Sequence, residues 1–167
     1  PMAWHAMLDR DTSQLPFLGA AILRHLQQFP SFTNGLNRTE QQILTIVKQG
    51  EQIPGKIFAE NQVLDQVIFM GDSTFWRYIE GLMQGEVPLL LVTGQEAFEI
   101  PECYPYPESF TKQRLSLTTM GEAVLRGDAD WLDLHPLDRW YGGVHLQSDS
   151  HWRWDESNRI VDLFITE

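Results

Sequence analysis

The apolar residues of this chain change their period near residue 84, and that change limits what it can fold into. Up to Met83 they recur at three- and four-residue spacing, the mark of helices with one buried face. Beyond it, Val87 to Val92 is a continuous apolar run of strand size. Gln113 to Thr118 alternates, with Leu115 and Leu117 on one side and Arg114 and Ser116 on the other. Helical and strand patterns that come in successive blocks point to the α+β class. The 167 residues suit one domain of ordinary size, read here as residues 1–167.

Punctuation places the elements. Pro16 suits a first helical position, and Leu15, Leu18, Ile22, Leu26 and Phe29 follow on one face until Pro30. Asn37 with Glu40 opens a second helix, whose face is Ile43, Leu44, Ile46 and Val47 and whose stop is Gly50. A third starts near Pro54 and carries Ile57, Phe58 and Leu64. A fourth follows Gly71, capped by Asp72 or Ser73, with Phe75, Ile79, Leu82 and Met83 along one side and Gly85 at its end. Thr93 to Lys112, with Pro101, Pro105 and Pro107, reads as a long loop between two strands, and such loops usually have a task. Thr119 with Glu122 opens a short helix that turns Val124 and Leu125 inward and stops at Gly127. The remainder holds four of the 6 tryptophans, Trp131, Trp140, Trp152 and Trp154. Val144 to Gln147, His151 to Trp154 and Arg159 to Ile165 read there as short strands.

Three helices followed by two strands and a joining loop is the order of a winged helix. Leu36 to Leu44 resembles the opening helix of winged-helix regulators, and Leu115 to Leu125 resembles the step from the second wing strand into the next helix. The expected architecture is an N-terminal helix and turn over 2–35, a winged-helix core over 36–127, and a Trp-rich β extension over 128–167 packed on it. Three further phrases, Arg24 to Ser31, Gly71 to Trp76 and Asp138 to Leu146, are similar to the C-terminal part of an uncharacterised bacterial family. In that family an α/β domain of unknown function precedes this half. The resemblance implies a bacterial, cytoplasmic chain, a fragment or a stand-alone relative, and it implies no activity.

Charge weighs on the function of such a core. Acids outnumber bases 23 to 12, for a net charge of −11. From Tyr78 to Thr111, the end of the third core helix and the whole wing, the acids are Glu80, Glu86, Glu96, Glu99, Glu102 and Glu108, with no Lys, Arg or His among them. Useful DNA affinity at physiological salt requires roughly six or more neutralised phosphates. The usual DNA-facing surface offers Arg77 alone, against Asp72 and Glu80. Nucleic acid is therefore disfavoured as the partner. Tyr104, Tyr106 and Phe110 in the same loop suit a protein-recognition patch instead.

Chemistry leaves few marks. There is no phosphate-binding glycine loop, nucleophile elbow, His-Glu-x-x-His or dinucleotide fingerprint. Cys103 is the single cysteine, so an internal disulfide and a Cys-rich zinc site are excluded. His145, Asp149 and His151 offer ligand types a metal accepts, but an ordinary turn explains them better, and Asp128, Asp130 and Asp133 read as helix caps. No metal and no cofactor is expected. A small pocket of Arg139, Trp140, His145 and Trp154 is conceivable, beside the plainer reading of a tryptophan-lined satellite core. No apolar run approaches the roughly 18 residues of a membrane span. Without a visible signal segment, the expected compartment is the reducing cytoplasm.

The function expected is a non-enzymatic interaction module. It binds a protein partner, or an N-terminal domain of its own, with Tyr104, Tyr106, Arg139, Trp140, His145 and Trp154 as contact residues, and a homodimer is open to it. The alternatives are a DNA-binding regulator, and an enzyme fragment whose His145, Asp149 and Arg139 complete a site with another domain.

Overall fold

A computed structural model describes residues 3, 6–7, 9–94, 97–147 and 152–163. In chain order its elements are α1 (Leu18–Leu26), α2 (Arg38–Gln49), α3 (Pro54–Val63), α4 (Asp72–Gly81), β1 (Leu90–Val92), α5 (Glu108–Thr111), β2 (Leu115–Leu117), α6 (Thr119–Arg126), α7 (Trp131–Leu134), β3 (Asp138–Tyr141), β4 (Val144–Gln147), β5 (Trp152–Asp155) and β6 (Ile160–Leu163). The protein is α+β, with helices ahead of small antiparallel hairpins. It divides into two compact units. One spans 39–129; the other joins 1–38 to 130–167.

In the unit spanning 39–129, α2 buries Ile43, Leu44, Ile46 and Val47, the face its spacing predicts. Helix α4 buries Phe75, Trp76 and Ile79. Its N-cap is Gly71, so Asp72 stands in the first turn and not at the cap. Strands β1 and β2 pair antiparallel, with Leu90 opposite Leu117 and Val92 opposite Leu115. The apolar run before β1 yields only three strand residues. The Leu89 and Leu90 amides both donate to the Leu82 carbonyl (2.8 and 3.2 Å), holding the chain against the end of α4. Pro88 has no amide to offer a ladder. Leu91 faces water between buried neighbours, as one covered sheet face requires.

Thr118 joins the hairpin to α6. Its amide donates to Leu89 O (3.0 Å) and its hydroxyl to Pro88 O (2.8 Å), while the hydroxyl oxygen accepts from the Gly121 amide (2.8 Å). The cap is thus Thr118, one residue before the Thr119 that the sequence suggests. The exchange brings α6 against the β1 backbone. A Cβ on Gly121 would stand 2.2 Å from the Leu89 carbonyl oxygen.

In the other unit, α1 starts at Leu18 and ends at Leu26, later than Pro16 and earlier than Pro30. It ends early because 30–32 is committed elsewhere. The Trp154 amide donates to Pro30 O (2.7 Å) and the Phe32 amide to Trp154 O (3.0 Å), so the segment lies as a strand beside β5. Ile22, Leu26, Phe29, Leu146, Trp154 and Val161 form the core there. The tryptophan-rich extension therefore finds its apolar partner in α1. Leu15, expected on the buried face, is exposed.

Arg153 is buried among these elements. Its guanidinium is paired with the Asp130 carboxylate and donates to Ser31 O (3.2 Å). The other Asp130 oxygen caps α7 by accepting from the Leu132 amide (2.9 Å). Trp152 and Trp154 share one face of β5, as their spacing predicts, and Arg153 takes the other, where an ion pair compensates its burial.

Gly121→Ala is expected to lower unfolding free energy by about 2 kcal/mol or more, because a backbone oxygen must move to admit the methyl group. Urea unfolding followed by tryptophan fluorescence measures this; a loss below about 0.5 kcal/mol would contradict the packing described.

Candidate interaction surface

Two stretches carry the residues that the sequence puts forward, one in each unit. The first is the chain between β1 and β2. Asp72, in the first turn of α4, faces it with its carboxylate, and Tyr106 donates its hydroxyl to that carboxylate across 34 positions of sequence. The other Asp72 oxygen accepts from the Ser73 amide (2.6 Å). Rings extend the anchorage. Tyr106 stands edge-on to Trp76 (centroids 6.1 Å apart) and to Phe110 (5.3 Å), and Trp76 and Phe110 meet at 5.0 Å. Phe98 closes on Phe110 at 5.8 Å. Edge-on aromatic contacts add to the apolar burial itself.

Gln113 fastens the far side. Its side chain is buried, donating to Glu99 O (3.1 Å) and accepting from the Glu99 amide (3.3 Å). The amide group satisfies a strand-like donor and acceptor together, as a neighbouring strand would. Helix α5 lies between these anchors in the sequence and buries Phe110. The stretch is thus an ordered platform over much of its length.

The anchors sort the three expected contact aromatics. Phe110 is 1% exposed and belongs to the core, contrary to the sequence reading. The cause is Trp76, whose indole supplies an apolar wall that local sequence does not reveal. Tyr106 is half-buried and positions the loop. Tyr104 is 83% exposed, with its ring edge toward Tyr106 at 5.6 Å. Cys103 beside it is exposed as well.

The acidic count also changes. Glu80 is paired with Arg77 (2.8 Å) and Glu108 with Lys112 (2.6 Å), each on its own helix face. Glu86, Glu99 and Glu102 remain exposed, and Glu96 lies outside the described residues. Arg77, the one cation that the sequence reading offers on α4, is the partner of Glu80 in that pair.

The second stretch is the β3–β4 hairpin. Asp138 to Tyr141, not among the strands that the sequence reading names, forms β3, and Gly142-Gly143 is its turn. Gly142 and Gly143 form a two-residue loop with φ of +54° and +81°, the left-handed pair that a tight hairpin needs. Gly142 also lies under His25, whose Nε2 would be 2.3 Å from an added Cβ. His25 stacks on Tyr141 (4.8 Å, 12°), and its burial holds its pKa below the usual imidazole value.

Register divides the proposed pocket. Asp138, Trp140 and His145 share the outer face, with Trp140 opposite His145. Their rings stack at 4.7 Å and 6°, and His145 Nε2 meets Asp138 Oδ1 at 2.6 Å. Trp140 is 70% exposed. Arg139 lies on the opposite face with Tyr141 and Leu146, and Trp154 is buried in the core, its Nε1 donating to Glu156. The four residues therefore line no common pocket. Asp149 and His151 lie outside the described residues. Among those described, no group of three or more His, Cys, Asp or Glu is placed to hold a metal, and no helix is long and apolar enough to cross a membrane.

Comparison of the chain with protein-family models, with curated proteins and with solved structures gives no match.

Burial, and then the hydrogen bond to Asp72, holds the Tyr106 phenol above its ordinary value of 10.0. The unfolded chain releases that proton first, so this contribution to stability is complete below pH 10.0 and is lost as pH rises through the folded value. Tyr106→Phe is expected to cost about 1 kcal/mol at neutral pH and to flatten part of the alkaline fall in stability. Urea unfolding of both proteins at neutral and alkaline pH measures it; parallel curves would contradict the anchorage.

Proposed function

We propose that the unit spanning 39–129 is a winged helix that serves as a protein-interaction module, with the chain between β1 and β2 as its recognition surface. The order α2, α3, α4, β1, α5, β2, with the antiparallel pairing of the two strands, supports the first part. The second rests on one observation: Tyr104 stands 83% exposed on a stretch whose neighbours are tied down. An exposed tyrosine on a pre-ordered support binds at low entropic cost, since the loop loses little freedom on docking. Exposed Glu99 and Glu102 near it favour a partner with a basic rim, which they steer and orient. The partner is a second protein, or another domain of a longer chain, met in the reducing cytoplasm where exposed Cys103 stays a thiol.

The charge balance weighs against nucleic acid for the same surface. From Arg77 to Thr111 the one Lys, Arg or His in the sequence is Arg77, and Glu80 beside it offsets its charge. Counterion release then supplies almost none of the affinity that a winged helix draws from DNA.

A photo-crosslinking amino acid at position 104, in the cell of origin, is expected to give one discrete protein adduct. The same group at exposed Gln84 gives none. Tyr104→Ser should abolish that partner's binding while changing stability by less than about 0.5 kcal/mol. Equal adducts from both positions, or a random duplex shifted by micromolar protein at low salt, would overturn the reading.

A further inference from the structure

Among the described tryptophans, Trp140 alone is exposed. One face of its indole is covered by His145, whose ring lies 6° from parallel at a centroid distance of 4.7 Å. The same imidazole meets Asp138 Oδ1 through Nε2 at 2.6 Å. An ionised carboxylate only accepts hydrogen bonds, so that ring nitrogen carries the proton. The result is a flat N–H donor laid on an indole and bonded at its edge to a carboxylate. All three groups stand on the outer face of β3–β4, and none belongs to the core beneath.

We propose that this face binds the guanidinium group of an arginine side chain on a polypeptide partner. His145 displays the chemistry that ring and carboxylate accept together, a planar group with an N–H at its edge. A guanidinium has the same flatness and an edge of N–H donors, and it adds a full positive charge. Room for it remains on both groups. Trp140 is 70% exposed although His145 covers one of its faces. Asp138 is 79% exposed, and among the described residues only His145 binds its carboxylate. The electron-rich indole face and the carboxylate both favour a cation. A phosphate is repelled by Asp138 and by a chain of charge −11. A neutral sugar stacks on the indole but leaves the carboxylate charge unanswered, and the compact ammonium of lysine cannot lie flat on the ring. Exposed Tyr104 offers no such stack, since Tyr106 meets it edge-on at 78°.

The openness of the face sets the source of the group. Small-molecule sites enclose most of their ligand, and one ring with one carboxylate does not. The guanidinium therefore arrives on a longer chain whose backbone adds contacts, with the exposed Gln147 amide, opposite Asp138, within the same face. Because His145 already holds the indole, little ordering is left for the moment of binding. The site lies in the unit that joins 1–38 to 130–167 and does not rest on the reading of 39–129.

Two-dimensional NMR of the full chain tests this through the Trp140 indole N–H, assigned by its loss in Trp140→Phe, and the β3 and β4 amides. The probe is acetyl-Gly-Gly-Arg-Gly-Gly-amide, expected to bind saturably with a Kd on the order of 1–10 mM. The same peptide with lysine should bind at least about threefold more weakly, and with neutral citrulline at least about tenfold more weakly. Asp138→Asn is expected to weaken the arginine peptide at least about tenfold, while Glu86→Gln, which removes the same charge from another exposed position, leaves it unchanged. If Asp138→Asn disturbs the hairpin, Trp140→Leu, read from the strand amides, carries the same expectation. No shift up to about 50 mM arginine peptide would overturn the proposal. So would equal binding of the citrulline peptide, or equal losses from Asp138→Asn and Glu86→Gln, which would reduce the effect to general attraction. Equal binding of N-acetylarginine amide would make this a small-molecule site, and an equal Trp140 shift with methyl glucoside a sugar site; either result contradicts the assignment.

Discussion

The grip of α4 on the chain between β1 and β2 is the constraint on which the functional reading of this protein depends. Tyr106 reaches Asp72 with its hydroxyl and Trp76 with its ring, and Phe110 seals the same indole from the other side. Without these contacts the connection would be a long proline-bearing loop paying the full entropy of ordering whenever it met a partner. With them, the cost is met on folding. Tyr104 is then presented on a support held from both directions, since Gln113 fixes the opposite strand of the connection to Glu99.

The second unit solves a different problem with the same tools. Its hairpins are each two-stranded, and an isolated two-stranded hairpin is marginal in water. Each gains stability by giving one face to α1. Leu146 comes from the first hairpin, Trp154 and Val161 from the second, and Ile22, Leu26 and Phe29 meet them. Arg153 adds specificity to the apolar contact. Its charge is tolerable at that depth only beside Asp130 and the Ser31 carbonyl, so strand register and the placement of α7 are set together.

Local patterns in the sequence revealed most of the elements. The α2 face, the Pro54 start of α3, the bounds of β4 and the β1–β2 pair follow from period, capping chemistry and turn residues, all of which act over a few positions. Long-range partnerships were not legible. Phe110 reads as a loop aromatic until Trp76 is known to stand beside it. Asp72 reads as a helix cap because its true partner is Tyr106, far along the chain. Strand β3 is not among the strands read from the sequence, because Asp138 to Tyr141 mixes charged and aromatic residues without apolar alternation, and the Gly142-Gly143 turn pairs it with β4. That turn in turn places Arg139 and Trp140 on opposite faces, which removes the pocket their adjacency suggests. Of the six candidate contact residues, Tyr104 stands exposed between β1 and β2 with Tyr106 behind it. Trp140 and His145 form a stacked pair on another surface, and Trp154 is core.

Amide hydrogen exchange at Phe110, Thr111, Lys112 and Gln113 tests the central claim most directly. These amides donate to Pro107, Glu108 and Phe110 carbonyls at 3.0 to 3.2 Å, inside the stretch that α4 is said to hold. They should exchange at least about a hundredfold more slowly than in an unstructured peptide, with protection that disappears only when α4 also opens. Exchange at unstructured rates while α2 and α4 remain protected would mean that the platform under Tyr104 does not exist.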